Sequence, residues 1–420
     1  MTSLASKNSI LKDKLNVHRL GGLFFLLCIW TYVVLCRPQD IFLFLVPFRP
    51  ALVMGLLTLG FTIIHFRYLQ GPPFFKERQI KYYSALIVVM VIGIPMSIYR
   101  RLSFEFIFMG YINAIIFVFV FYKLIDSVKK LSIILLIACL GNGFYSAFAV
   151  ITGTLGENRL SFGTMFDPND LAYFALGFLP LNLVFISREN PIWVRLTCFG
   201  CFFLSLLLIL LTGSRGGMIA LCLVITLFIF QKTKTIRGSI KIIFIGIFLV
   251  SFSLSSINLE RYMTILNLED DYNVKDETGR LSIWKIGARA MLSHPLTGVG
   301  VGCFGEAVGL DRQKRGAETL RWQTAHNSAI QIGAETGIIG LTLFLLLTKN
   351  VFVVFYQVKK SSAPERLIKI SEMGFIGFAG LFTASMFLSQ AYSVYWAFYV
   401  AISAVVNQLQ VKYVPFEVKK

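Results

Sequence analysis

Charge is scarce in this 420-residue chain: Asp, Glu, Lys and Arg make up 15% of it, and acids are fewer than bases, 22 against 40. A soluble domain of this size is not so poor in charge, and the hydrophobic share of 56% with a mean hydropathy of +0.71 excludes that class. The seven cysteines show no framework spacing. Cys28, Cys139, Cys198, Cys201 and Cys222 lie in apolar runs, Cys36 at a helix end and Cys303 in a loop. Cys198 and Cys201 have CxxC spacing but no partner ligands nearby in sequence, so helix packing is expected of them rather than metal or redox work. Short alternating segments are absent, which argues against an outer-membrane barrel. No DxD motif occurs; Glu269-Asp270-Asp271 reads as a solvated acidic run, and a divalent-metal site is not expected. Nor does a basic, aromatic-rich domain stand apart from the apolar runs, so the net charge of +18 does not point to nucleic acid.

Long apolar runs are what the chain does have. Runs of this length satisfy their own backbone polar groups as helices, so an all-α polytopic membrane protein is expected. Hydropathy places about twelve spans near 20–36, 50–66, 82–98, 104–124, 131–151, 170–187, 192–211, 216–230, 239–257, 328–348, 372–390 and 392–409. DIFLFLVPF (40–48) is a short segment broken by proline. The first run lacks an A-x-A cleavage site and reads as a retained span. With the N-terminus inside, the inner segments hold 25 of the 40 basic residues. The short outer ones hold only Arg37, Arg49, Arg100, Arg101, Arg159 and Arg215. That bias puts both termini in the cytoplasm. Three regions follow: a bundle of about nine spans (1–257), one large outer loop (258–327) and about three C-terminal spans (328–420).

The outer loop carries nine basic and nine acidic residues, so it is not a diffuse basic patch. Thr278 is expected to cap a helix whose apolar face is Leu281, Trp284, Ala288 and Met291, with Arg280 in its first turn and Pro295 as its stop. Gly298, Gly300 and Gly302 follow no strand, so a tight turn against a ligand or helix fits better than a dinucleotide loop. At the next span His326 stands at the outer boundary, with Asn327, Gln331 and Glu335 on one helical face below it. Upstream, ENRLSFGTMFDPNDLA (157–172) lies outside and starts a helix at Asp167-Pro168, so capping explains Asp167 and Asp170.

In LTGSRGGM (211–218) a lone arginine stands between two apolar runs, and no acid occurs between Glu189 and Glu260. Arg159, Arg215, Arg280 and His326 all fall on the outer side. An arginine near the bilayer needs a partner, and its planar fork suits phosphate oxygens. Three of them suit a diphosphate at the membrane surface, with a histidine to deprotonate a hydroxyl. The plainer readings are a snorkelling anchor for Arg215, salt bridges to loop acids for Arg159 and Arg280, and an ordinary interfacial residue for His326.

SRGG after an apolar run, then R…W…HPL.GVG.G.F, then HN…Q…ETGIIGL, with R…G…DPNDLA upstream, resembles the O-antigen ligase and polymerase superfamily of bacterial envelope glycosyltransferases over about 157–345. The resemblance implies a GT-C-like bundle of about twelve spans with a large periplasmic loop containing short helices, in the bacterial inner membrane. It implies transfer of a glycan from undecaprenyl diphosphate to an acceptor hydroxyl at the periplasmic face, without metal or other cofactor and with inversion. His326 is then the catalytic base. Arg215, Arg280 and Arg159 bind the donor diphosphate, and Ser214, Asn327, Gln331 and Glu335 support them. Lipid A-core is the implied acceptor, as for a ligase. Polymerase and protein O-oligosaccharyltransferase chemistry share the same donor. A polyprenyl-lipid or polysaccharide transporter is the rival from another class. It would place its site near the midplane and often carry inverted repeats, neither of which the pattern shows.

Overall fold

The computed structural model describes residues 21–69, 73–156, 158–163, 167–230, 276, 278–317 and 321–413. The described chain is helical apart from one small hairpin. The helices are α1 (Gly21–Cys36), α2 (Pro50–Ile64), α3 (Arg78–Met96), α4 (Arg100–Leu124) and α5 (Val128–Thr152). The hairpin of β1 (Thr154–Gly156) and β2 (Arg159–Ser161) is antiparallel. Then come α6 (Pro168–Asn182), α7 (Ile192–Leu211), α8 (Arg215–Phe230), α9 (Arg280–Ser293), α10 (Phe304–Lys314), α11 (Ser328–Lys359), α12 (Glu365–Ser385) and α13 (Val394–Tyr413).

Seven of these, α3, α4, α5, α7, α11, α12 and α13, are long and apolar enough to cross a membrane, so the chain is a multi-pass all-α membrane protein. α1, α2 and α8 are shorter apolar helices. The expected span at 239–257 lies outside the described residues, as does the whole of 258–275 from the expected outer loop. The broken segment after α1 is a helical turn, Pro38–Ile41, followed by a 3-10 stretch, Leu43–Phe48, with Pro47 inside it.

α6 lies at the centre. Every residue from Leu171 to Asn182 is buried, with α5, α7, α8 and α12 packed around it. A helix that is apolar on all sides has nowhere else to go in a bundle. Its head therefore ends up among the heads and loops of its neighbours.

The two final spans differ from the expected limits of 372–390 and 392–409. α12 runs from Glu365 to Ser385 and α13 begins only at Val394. The polar run Ser389-Gln390 and the residues flanking it make an eight-residue turn rather than helix. Two expectations for the outer loop are also corrected. Thr278 does not cap α9: its N–H and hydroxyl both donate to Asp276 Oδ1, and Gly279 takes the N-cap position. The buried face of α9 is Ile283, Ile286 and Gly287, whereas Leu281 is exposed. The reason is Gly287, which lets Ile330 of α11 approach the α9 backbone closely enough that a Cβ there would collide with it.

The glycine turn at 298–302 is wedged into the bundle against helices. α11 is broken at Gly337, whose φ of 69° interrupts the helical ladder. The freed groups are taken up by the wedge: Ile338 N–H donates to Pro295 O (2.7 Å), Val299 N–H to Ala334 O (2.8 Å) and Gly300 N–H to Glu335 O (3.1 Å). On its other side Ile98 N–H donates to Val299 O (3.0 Å) and the Ser103 hydroxyl to Val301 O (2.8 Å). Non-helical backbone at membrane depth is tolerated only when buried in protein and satisfied in this way.

Gly298 has φ +66° and lies so close to α11 that a Cβ would overlap the Glu335 carbonyl, whereas a Cβ at Gly305 in α10 meets nothing within 4 Å. Gly298→Ala should therefore lower the thermal unfolding midpoint of the detergent-solubilised protein by several degrees, because the left-handed backbone alone costs about 1–2 kcal/mol. Gly305→Ala should leave the midpoint unchanged or raise it slightly.

Candidate functional site

Ser214, Arg215, Arg280, His326 and Asn327 sit at or next to helix heads. Asp167 caps α6, its Oδ1 accepting from Asn169 N–H (2.7 Å) and Asp170 N–H (2.8 Å). Ser214 is buried and its hydroxyl accepts from Gly217 N–H (3.1 Å), which starts α8 at Arg215. Gly213, at φ +57°, makes the turn from α7. Asn327 Oδ1 accepts from Ala329 N–H (3.0 Å) and Ile330 N–H (3.1 Å) and caps α11. Arg280 is the first residue of α9.

Hydrogen bonds and close contacts tie these heads together. Arg159, on β2, donates from Nε to Thr212 O at the α7–α8 corner (3.2 Å) and from Nη2 to Asn169 Oδ1 on α6 (2.9 Å). Gly217 lies against Ala172 of α6, and Gly216 against Phe387 of the α12–α13 turn; a Cβ at either would come within 2.7 Å of its neighbour. That turn then binds α6 and α11. Gln390 Nε2 donates to Asp170 Oδ1 (2.8 Å), and its N–H to the Ser328 hydroxyl (3.1 Å), which itself donates to Leu388 O (2.9 Å). Ser389 Oγ accepts the backbone N–H of His326 at 2.9 Å. α9 joins from outside, as Trp284 Nε1 donates to Ala325 O (3.0 Å).

His326 is partly buried and holds φ +46°, a conformation unfavourable for a residue with a side chain. Its neighbours on both sides are fixed, so the imidazole is presented from a rigid corner, with Nε2 3.4 Å from the Thr324 hydroxyl. Burial lowers the imidazole below the ordinary histidine pKa. The Arg280 charge lowers it further and the Asp167 carboxylate opposes both. A histidine held in this way is neutral, and so a base, at neutral pH.

The four arginine and histidine candidates thus share one end of the bundle. The supporting residues divide differently. Asn327 precedes the helix as its cap, so it does not share the face assigned to it with Gln331 and Glu335. Gln331 Oε1 accepts from Ala391 N–H (3.4 Å) and holds the α12–α13 turn. Glu335 is 1% exposed, about two turns (~10 Å) further into the bundle, and its Oε1 accepts from Phe304 N–H (3.3 Å) at the head of α10. It anchors α10 and does not reach the His326 corner. Among the described residues no group of three or more His, Cys, Asp or Glu is placed to hold a metal ion.

Residues 200–345 match the family model of O-antigen ligase. Over this segment, about a third of its length, the chain is similar to the O-antigen ligase superfamily. The matched O-antigen ligase segment contains Arg215, Arg280, His326, Gln331 and Glu335, whereas Arg159 and the head of α6 lie before it and the α12–α13 turn after it. No curated protein is similar enough to the chain to count as a relative. The family implies a glycosyltransferase-like or ligase enzyme.

Sequence reading alone does not mark Ser328, Ser389, Gln390 and Asn169 as site residues. The one signal for the turn was SQAYS (389–393), a polar interruption in a long apolar stretch.

The acid limb of the pH–activity profile should fall below the ordinary histidine pKa of about 6.5. Removing the cation beside it in Arg280→Gln should move that limb to higher pH. Asp167→Asn, which keeps an N-cap residue at α6, should move it to lower pH. Activity profiles between pH 4.5 and 8 check both signs.

Proposed function

We propose that the protein transfers a glycan from undecaprenyl diphosphate to an acceptor hydroxyl, and that it is O-antigen ligase-like, with lipid A-core as acceptor. The supporting observation is the corner at His326: a neutral imidazole faces Arg280, while the α12–α13 turn ties that corner to the arginine-bearing heads of α8 and β2. The heads of α6, α8, α9 and α11 meet there. Helix N-termini favour anions, so their partial positive charge adds to that of the three arginines.

The reaction follows from these groups. His326 takes the proton of the acceptor hydroxyl. The oxygen attacks the anomeric carbon from the side opposite the diphosphate, and the bond from that carbon to the diphosphate oxygen breaks. Undecaprenyl diphosphate leaves with its charge held by Arg159, Arg215 and Arg280, and the anomeric centre inverts. This chemistry calls for no metal or other cofactor. The site would face the periplasm, with both termini in the cytoplasm and the protein in the bacterial inner membrane.

The test uses purified protein in lipid with undecaprenyl-diphosphate glycan and lipid A-core, following release of the diphosphate lipid and the mass of the product. His326→Ala should lower kcat about 10²–10⁴-fold, the usual worth of a general base, with donor binding intact. Arg215→Ala should weaken donor binding as well. Extension of the donor glycan in place of transfer to lipid A-core would make the protein a polymerase. A folded wild type that binds donor and transfers to no acceptor would favour a transporter.

A further inference from the structure

The segment that leads into His326 is pinned to α9 and α10. Arg312 of α10, itself 4% exposed, donates to Arg321 O and to Gln323 Oε1 (2.7 Å). Gln323 Nε2 donates in turn to Thr278 O (3.1 Å), and Ala325 is buried and bound by Trp284. Residues 321–325 form neither helix nor strand, and Gln323 and Ala325 face inward. Trp322 and Thr324 are exposed in alternation with them, ahead of the partly buried His326. The contact between Thr324 Oγ1 and His326 Nε2 at 3.4 Å shows the last two on one side.

Trp322 is 63% exposed. Its indole lies against Gly309 of α10, where a Cβ would come within 3.0 Å of the ring, so the glycine allows the ring to lie flat on the helix. α10 carries Asp311, Arg312 and Lys314 within two turns of that glycine and Arg315 follows as its C-cap, a charged helix unsuited to entering hydrocarbon. An exposed tryptophan on such a support is an aromatic platform in water. Four residues of chain link it to His326, so the two are at most about 14 Å apart.

We propose that Trp322 and Thr324 form a saccharide subsite leading to His326, in which the indole stacks on the C–H face of a pyranose ring. The ring's polarised C–H groups complement the negative face of the indole, and Thr324 supplies a hydroxyl for the sugar between. A di- or trisaccharide spans the separation, so the subsite holds a sugar a few units from the reacting centre. This rests on the glycan-transfer reading above. The sugar is carried by either the donor or the acceptor, and the experiment separates the two.

Full-length protein in nanodiscs is assayed with undecaprenyl diphosphate carrying one or four sugars and with lipid A-core. Direct binding of a free tetrasaccharide is measured in parallel. Trp322→Ala, Trp322→Tyr and Trp322→Leu are compared with wild type. If the donor glycan uses the subsite, Trp322→Ala raises the half-saturating concentration of the four-sugar donor about five- to tenfold, the scale of one aromatic contact. The one-sugar donor is then unaffected and kcat is unchanged. If the acceptor uses it, the same rise appears on titrating lipid A-core. Tyrosine restores affinity and leucine does not. Equal recovery by leucine, or no change in any saturation or binding curve, overturns the subsite while leaving transfer in place. A wild type that transfers nothing, yet binds tetrasaccharide in a Trp322-dependent way, overturns the transfer reading and keeps the subsite.

Discussion

The hydrogen bond from the His326 backbone to Ser389, at 2.9 Å, holds the geometry on which the candidate site depends. A residue with a side chain does not rest at φ +46° unless its surroundings over-determine it. Here the chain before it is fixed by α9 and α10, and the chain after it enters α11 under an asparagine cap. The Ser389 bond closes the corner between them. Because Ser389 belongs to the turn that also holds Gln390 on Asp170 and Phe387 on Gly216, one short loop carries the register between the histidine and the arginine-bearing hairpin. A shift of that loop would separate the two chemical halves of the site without altering either.

The second constraint is the bilayer. Backbone polar groups inside it have no water to turn to, so each departure from helix must be matched by another. The break in α11 at Gly337 and the wedge at 295–302 are such a pair, since each supplies the partners that the other lacks. Glu335 belongs to this joint. Its carboxylate receives the head of α10, so the segment carrying α9 and α10 is fastened to a membrane helix roughly two turns from the histidine. That segment, which bears Arg280 at the head of α9, is thereby held in register with the bundle.

Electrostatics then act on a fixed frame. The heads of α6, α8, α9 and α11 bring partial positive charge to one region, and Arg159, Arg215 and Arg280 add whole charges to it. The same field that suits a diphosphate also keeps His326 in its basic form, because an imidazolium next to Arg280 is disfavoured. On the proposed function, binding an anionic donor and preparing a neutral base are two effects of one charge arrangement.

The helical membrane class was legible in the apolar runs, because span length and backbone satisfaction leave few alternatives. The helix start at Asp167 is legible too, since capping is local chemistry. The candidates Arg215 and His326 stand at the edges of apolar runs and Arg280 in the first turn of a loop helix. Tertiary packing decided the rest. The buried face of α9 was misread because Gly287, not the apolar period alone, selects the side that docks. Glu335 lies on the helical face below His326 yet serves a different joint, since two turns of helix separate them. Ser389, Gln390 and Asn169 matter through partners tens to hundreds of residues away, and no local pattern marks such pairings. Sequence by itself determined which side chains could carry the chemistry, since residue type and helix position are local. Only the folded bundle decided which of them meet, because distances across it are set by packing between helices remote in the chain.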